Sequence, residues 1–132
     1  MNIQDLVPDL KICQEAKDKG VVIESEYYWW HRLNDSKWMI SPFNEIFNGD
    51  CFPAPLTDEI LLKLPKHIRG TNENVPRFPN NNYPFKLTIS YSIKKGWSVS
   101  YAGLIKPIYD KNKLSNALLL LAIKLKEEGI IN

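Results

Sequence analysis

Phe85-Lys86-Leu87-Thr88-Ile89-Ser90-Tyr91-Ser92-Ile93 alternates apolar and polar residues without a break. Side chains in a strand point to opposite faces in turn, so this period of two predicts one buried face and one wet face. Phe85, Leu87, Ile89, Tyr91 and Ile93 form the buried face; Lys86, Thr88, Ser90 and Ser92 form the wet one. Lys94-Lys95-Gly96 reads as a hairpin turn, after which Trp97, Val99 and Tyr101 share a face against Ser98 and Ser100. A hairpin of this kind makes the sheet antiparallel. Gly103 to Tyr109 adds a further strand, which Pro107 confines to an edge.

Downstream, Leu114, Ala117, Leu118, Leu121, Ala122 and Leu125 recur at helical spacing, and Leu119, Leu120 and Ile123 widen the stripe. A helix over 114–128 that is apolar over most of its circumference belongs in the middle of the fold. Ser115 or Asn112 can cap its start, while Gly129 and Ile130 fit a Schellman ending on Leu125. Upstream, Leu6, Leu10, Cys13 and Ala16 predict a helix over 6–19, closed by Gly20. Val21 to Leu33 has strand composition, rich in Val, Ile, Tyr and Trp. Parity sets Val22, Glu24, Glu26, Tyr28 and Trp30 against Val21, Ile23, Ser25, Tyr27, Trp29 and His31. Asn34-Asp35-Ser36 turns the chain, and residues 37–40 return. Ser41 to Pro55 is irregular. Thr57 can cap a short helix ending at Pro65, with Leu56 and Leu61 as its hydrophobic staple. Residues 66–84, with Pro76, Pro79, Pro84 and five asparagines, read as a long loop.

The chain has 132 residues, enough for one α+β domain over 1–132 without a disulfide staple. The expected architecture is an antiparallel sheet of about four or five strands with helices packed on one face. Its two cysteines, Cys13 and Cys51, exclude a disulfide framework and a Cys-rich metal module. The start Met1-Asn2-Ile3-Gln4-Asp5-Leu6 lacks a signal-peptide pattern, and the longest apolar run, 117–123, is too short to span a bilayer. A cytoplasmic protein with no membrane partner is the expectation.

The formal charge of +2 hides an uneven distribution. Residues 1–60 carry five basic and eleven acidic side chains, a net −6; residues 61–132 carry twelve and four, a net +8. Lys86, Lys94, Lys95, Lys106, Lys111 and Lys113 face a single acid, Asp110, within 86–113. A dedicated DNA-coating protein is excluded by the overall balance, but a local basic face is not. Arginine is confined to Arg32, Arg69 and Arg77, which argues against base-specific readout.

Catalytic signals are sparse. The two histidines, His31 and His67, are too few and too isolated for a metal site, and no cofactor fingerprint is present. Glu24 and Glu26 share a strand face and, with His31 on the opposite one, are the residues an enzyme would use; a solvated strand face or an edge-protecting charge is the favoured reading of the pair. The run Tyr27-Tyr28-Trp29-Trp30 cannot all enter one sheet face, so some of these rings must be covered from a second side. Core packing is the favoured reading of these rings; if some of them instead stay exposed, the candidate binding surface is Tyr28 and Trp30, the Asn-rich loop, and Lys86, Lys94, Lys95 and Lys106.

Two resemblances bear on function. Lys19-Gly20, Glu24-Ser25-Glu26-Tyr27, Ala54-Pro55-Leu56 with Asp58-Glu59-Ile60, and Leu64-Pro65 make a first half. Gly96-Trp97 with Tyr101, then Ser115, Ala117, Leu118 and Lys126-Glu127, make a second. This order resembles a family of small uncharacterised phage and prophage proteins, which implies context but no catalytic residues. Residues 86–126, a hairpin followed by a helix, resemble the core of HicB-type antitoxins. That likeness implies a partial RNase H-like fold that neutralises a small toxin. It departs at Ala102-Gly103-Leu104-Ile105, where such proteins carry a Pro- and Gly-rich turn with a Cys, and no separate DNA-binding tail follows Asn132. The reading is a non-enzymatic accessory protein that binds a protein or a nucleic acid, with a homodimer left open. The alternatives are an antitoxin-like neutraliser and a carboxylate/histidine enzyme.

Overall fold

The computed structural model describes residues 2–31, 37–42, 51–69, 84–101 and 105–131. The Asn34-Asp35-Ser36 turn, residues 43–50, the 70–83 part of the Asn-rich loop and residues 102–104 lie outside them.

The alternating stretch forms β5 (Pro84–Ser92), and its partner forms β6 (Gly96–Tyr101). Their register pairs Leu87 with Tyr101, Ile89 with Val99 and Tyr91 with Trp97, so the alternate apolar residues of both strands share one face. Gly96 takes φ +76° at the turn, a conformation that favours glycine. Beyond β6 lies β7 (Ile108–Asp110), and on the other side β5 pairs with β4 (His67–Arg69), giving the order β4-β5-β6-β7. Thus β7 is an edge strand that begins just after Pro107, but among the described residues it is shorter than the 103–109 expected. The expected 66–84 loop holds β4, which supplies a backbone partner to the base of β5.

The fold is α+β with antiparallel pairing, as expected, but the described residues form two sheets where one of about four or five strands was expected. β1 (Tyr27–His31) lies between β2 (Trp38–Pro42) and β3 (Cys51–Pro53), in the order β2-β1-β3. β2 returns where it was expected. β3 comes from the stretch expected to be irregular, and its short pairing on Tyr28 to Trp30 is a tertiary event with no local signal.

Three helices join the sheets. α1 (Leu10–Asp18) starts later than position 6: residues 3–5 make a 3-10 turn, and the helix N-cap is Asp9. Gly20 (φ +79°) closes it as expected, with the Gly20 N–H on the Lys17 carbonyl and the Val21 N–H on the Ala16 carbonyl. α2 (Thr57–Lys63) has Leu56 at its N-cap, so Thr57 is the first helical residue and not the cap. α3 (Leu114–Glu127) is the centre of the core. It packs on β6 and β7 and on both other helices, while α1 also packs on β3. Ala117, Leu118, Leu121 and Leu125 have no accessible surface. Its end is the Schellman pattern read from Gly129, with Ile130 N–H on the Leu125 carbonyl at 2.9 Å.

Parity along 21–31 holds. Val21, Ile23 and Trp29 are buried, while Val22, Glu24 and Glu26 are exposed. Ladder pairing starts only at Tyr27, however, so the expected 21–33 strand is an extended lead-in followed by five paired residues.

Candidate macromolecule-binding surface

Burial along β5 fades toward the turn. Phe85 is buried and Leu87 half-buried, but Ile89, Tyr91 and Ile93 are 37%, 60% and 93% exposed. This corrects the expectation of a face buried along its whole length. The helix packs on β6 and β7, and Val99 and Tyr101 of β6 are fully buried, whereas the apolar residues toward the hairpin end of β5 are open to solvent. The Tyr91 ring tilts against Trp97, with centroids 5.1 Å apart at 59°. Exposed Lys94 and Lys95 occupy the turn, and the Lys95 ammonium lies 5.1 Å from the centre of the Tyr109 ring. Ser98 pairs with Tyr109, so that ring is on the face opposite Trp97. The hairpin end therefore carries exposed apolar side chains on one face and the Lys95 cation, over Tyr109, on the other. Several large apolar side chains exposed within five residues mark an interaction site more often than a lone exposed leucine does.

The edge of β5 is open along the same stretch. The Leu87 N–H reaches the Lys66 carbonyl at 3.1 Å, so Leu87 directs its backbone groups away from β6. Directions alternate in an antiparallel ladder, so Ile89 and Tyr91 also direct N–H and C=O outward. Among the described residues, no strand pairs with β5 on that side beyond this point.

The six residues singled out from sequence divide between the two sheets. Lys86, Lys94 and Lys95 belong to β5 and its turn, and Lys106 is exposed between β6 and β7. Tyr28 and Trp30 belong to β1, half-buried on the face opposite Trp29; Trp30 Nε1–H donates to Ser41 Oγ at 2.7 Å. Burial, with the nearby Cys51 and Glu24, raises the Tyr28 phenol above its ordinary value. Ile89, Tyr91 and Ile93 were missed because strict alternation signals a strand face without showing how far its cover extends.

Glu24, Glu26 and His31 do not converge. Both carboxylates are exposed, and His31 stacks on Trp38 with centroids 5.0 Å apart. Glu26 and His31 stand at opposite ends of β1, about 16 Å apart at the rise of a strand. A groove of about 230 Å³ lined by Val21, Val22, Ile23, Lys63, Ala122 and Ile131 holds none of the three. Among the described residues, no group of three His, Cys, Asp or Glu side chains could hold a metal ion.

Two polar nodes that do form are structural. At the first, Glu59 Oε1 accepts the Leu56 N–H at 2.8 Å, and Oε2 accepts the Glu26 N–H at 3.3 Å. Ser25 Oγ lies 2.8 Å from Glu59 Oε1 and 3.0 Å from the Ala54 carbonyl oxygen, and accepts the Tyr27 N–H. Glu59, three residues into α2, thereby caps it in place of Thr57 and fastens the lead-in to β1. Glu24-Ser25-Glu26-Tyr27, Ala54-Pro55-Leu56 and Glu59, the first-half signals of the phage-protein resemblance, meet here as a packing device.

At the second node, buried Asn116 accepts the Asp9 N–H at 2.8 Å through Oδ1, and its Nδ2 donates to Asp9 at 3.0 Å and Asp110 at 3.2 Å. Lys113 Nζ donates to Asp9 Oδ1 and the Gln4 carbonyl. Burial alone would raise the Asp9 carboxyl, but the hydrogen bonds from Lys113 and Asn116, with the Lys113 charge, hold it below its ordinary value. Asp110 Oδ1 accepts the Asn112 and Lys113 N–H groups, so it organises the start of α3 where Ser115 or Asn112 was expected to. Cys13 is sealed beneath this node, and burial pushes its thiol up to about 12.

No family model matches the chain, and no curated protein or solved structure does so. Among the described residues, no helix is long and apolar enough to cross a membrane.

Proposed function

We propose that the chain is a non-enzymatic binding protein that acts through the distal end of the β5–β6 hairpin. The observation behind this reading is the exposure of Ile89, Tyr91 and Ile93 together, beside Lys94 and Lys95. Leaving that apolar area in water gives the free protein nothing, and covering it with a partner would stabilise a complex by the hydrophobic effect. The lysines add attraction for an acidic partner, which speeds encounter and weakens with salt. In this reading the protein is a phage or mobile-element accessory protein of the cytoplasm, the context its residue order resembles. The HicB-like reading draws on the hairpin-then-helix order of 86–126, with α3 packed on β6.

Affinity capture from host extract tests the proposal, using the chain beside a Y91S/K94E/K95E variant. Material bound by the chain and released by the triple substitution is the expected result. Identical capture by both proteins contradicts it. A single small protein held in stoichiometric complex would favour the antitoxin-like version.

A further inference from the structure

Resting on the reading of the hairpin as the binding surface, we infer that its partner is an acidic, extended protein segment that adds as a strand to the open edge of β5. The open edge offers outward backbone groups at Ile89 and Tyr91, which a further antiparallel strand would satisfy. Alternation then fixes what the added strand must carry. Its side chains on the Ile89/Tyr91 face meet exposed apolar surface, so they are apolar. Those on the other face run beside Thr88, Ser90 and Ser92, with Lys86 at one end and Lys94 at the other, so they are acidic or hydroxylated.

A second copy of the chain is a poor occupant. The self-pairing register that uses all of residues 88–92 is centred on Ser90, and it brings Lys94 of one copy to Lys86 of the other. Like charges brought together across strands destabilise the pairing. A nucleic acid is also a poorer fit. Ile89 and Ile93 are aliphatic and present no ring for base stacking, and phosphates make no use of an outward C=O.

Fluorescence anisotropy with a labelled peptide of alternating valine and glutamate tests the inference, beside the same peptide with lysine for glutamate. The glutamate peptide should bind at least tenfold more tightly. Ile89→Pro removes an outward N–H while sparing the bonds to β6, and proline is tolerated at such an edge position. It should weaken binding at least tenfold with an unchanged circular dichroism spectrum. A K94E/K95E variant, independent of any proline effect on folding, should reverse the preference between the two peptides. Equal binding of both peptides to the unmodified chain, or unchanged preference in K94E/K95E, overturns the inference. If a single-stranded oligonucleotide binds through Tyr91 and Lys94 while the glutamate peptide does not, strand addition fails and the hairpin reading stands. If Y91S/K94E/K95E alters the capture of nothing from extract, the hairpin reading itself fails.

Discussion

Asn116→Ala tests how the N-terminal segment is fastened to the core. Asn116 is 2% exposed and makes three hydrogen bonds, two to Asp9 and one to Asp110. Alanine deletes all three. The Asp9 N–H is part-buried, and losing its acceptor costs about 1 kcal/mol net. The two bonds from Nδ2 end on carboxylates near solvent, which screens them to below the usual range for charged acceptors, again about 1 kcal/mol each. The better helix propensity of alanine returns about 0.5 kcal/mol. The expected loss is therefore about 2–3 kcal/mol, or roughly 8–10 °C in Tm for a chain of this size. Urea unfolding followed by circular dichroism measures it, with Lys19→Ala as the comparison. Lys19 pairs with Glu15 and Glu127 at the surface, where solvent screens the charges. A loss below about 1 kcal/mol for Asn116→Ala, or a larger loss for Lys19→Ala, would refute the assignment of this node as the fastening.

Further outcomes follow from single groups. Gly96→Ala should destabilise far more than Gly129→Ala, because an added Cβ at Gly96 meets the Lys111 Cα at 2.5 Å, whereas at Gly129 it meets open space. Gly129→Ala then carries only the left-handed backbone penalty of about 1 kcal/mol, and paired thermal melts compare the two. Cys13 should resist a thiol reagent in the native protein, since it is buried with its thiol held up near 12, whereas Cys51 is partly exposed and should react first. Native and denatured thiol titrations count the difference. The Asp9 carboxyl is held below its ordinary value of 3.8, so its contribution is complete above that value and is lost as pH falls through the folded pKa. Tm should consequently fall less steeply below pH 4 in Asp9→Asn than in the unmodified chain.

Local signals made much of this fold legible. Gly20 and Gly129 mark helix ends, the 114–125 stripe marks a central helix, and the alternation at 85–93 marks a strand, because each reflects backbone geometry within a few residues. Pairings between distant segments were not legible. Cys51–Pro53 completes a second sheet by joining β1, and Asp9 finds Asn116 across 107 residues. Capping also falls not to the expected Thr57, nor to Ser115 or Asn112, but to carboxylates, Glu59 and Asp110, that reach back or forward from neighbouring turns. The candidate site was half legible. The lysines of the hairpin stand out by charge, but Tyr91 and Ile93 read as core, because alternation alone does not show that they are 60% and 93% exposed.

Amide hydrogen exchange compared between the free protein and its complex with the captured partner tests the central claim most directly. New protection concentrated in residues 88–97, with Ile89 and Tyr91 slowed most, is the predicted result. Protection confined to β1–β3 or to α3, with the hairpin amides exchanging as in the free protein, would contradict it.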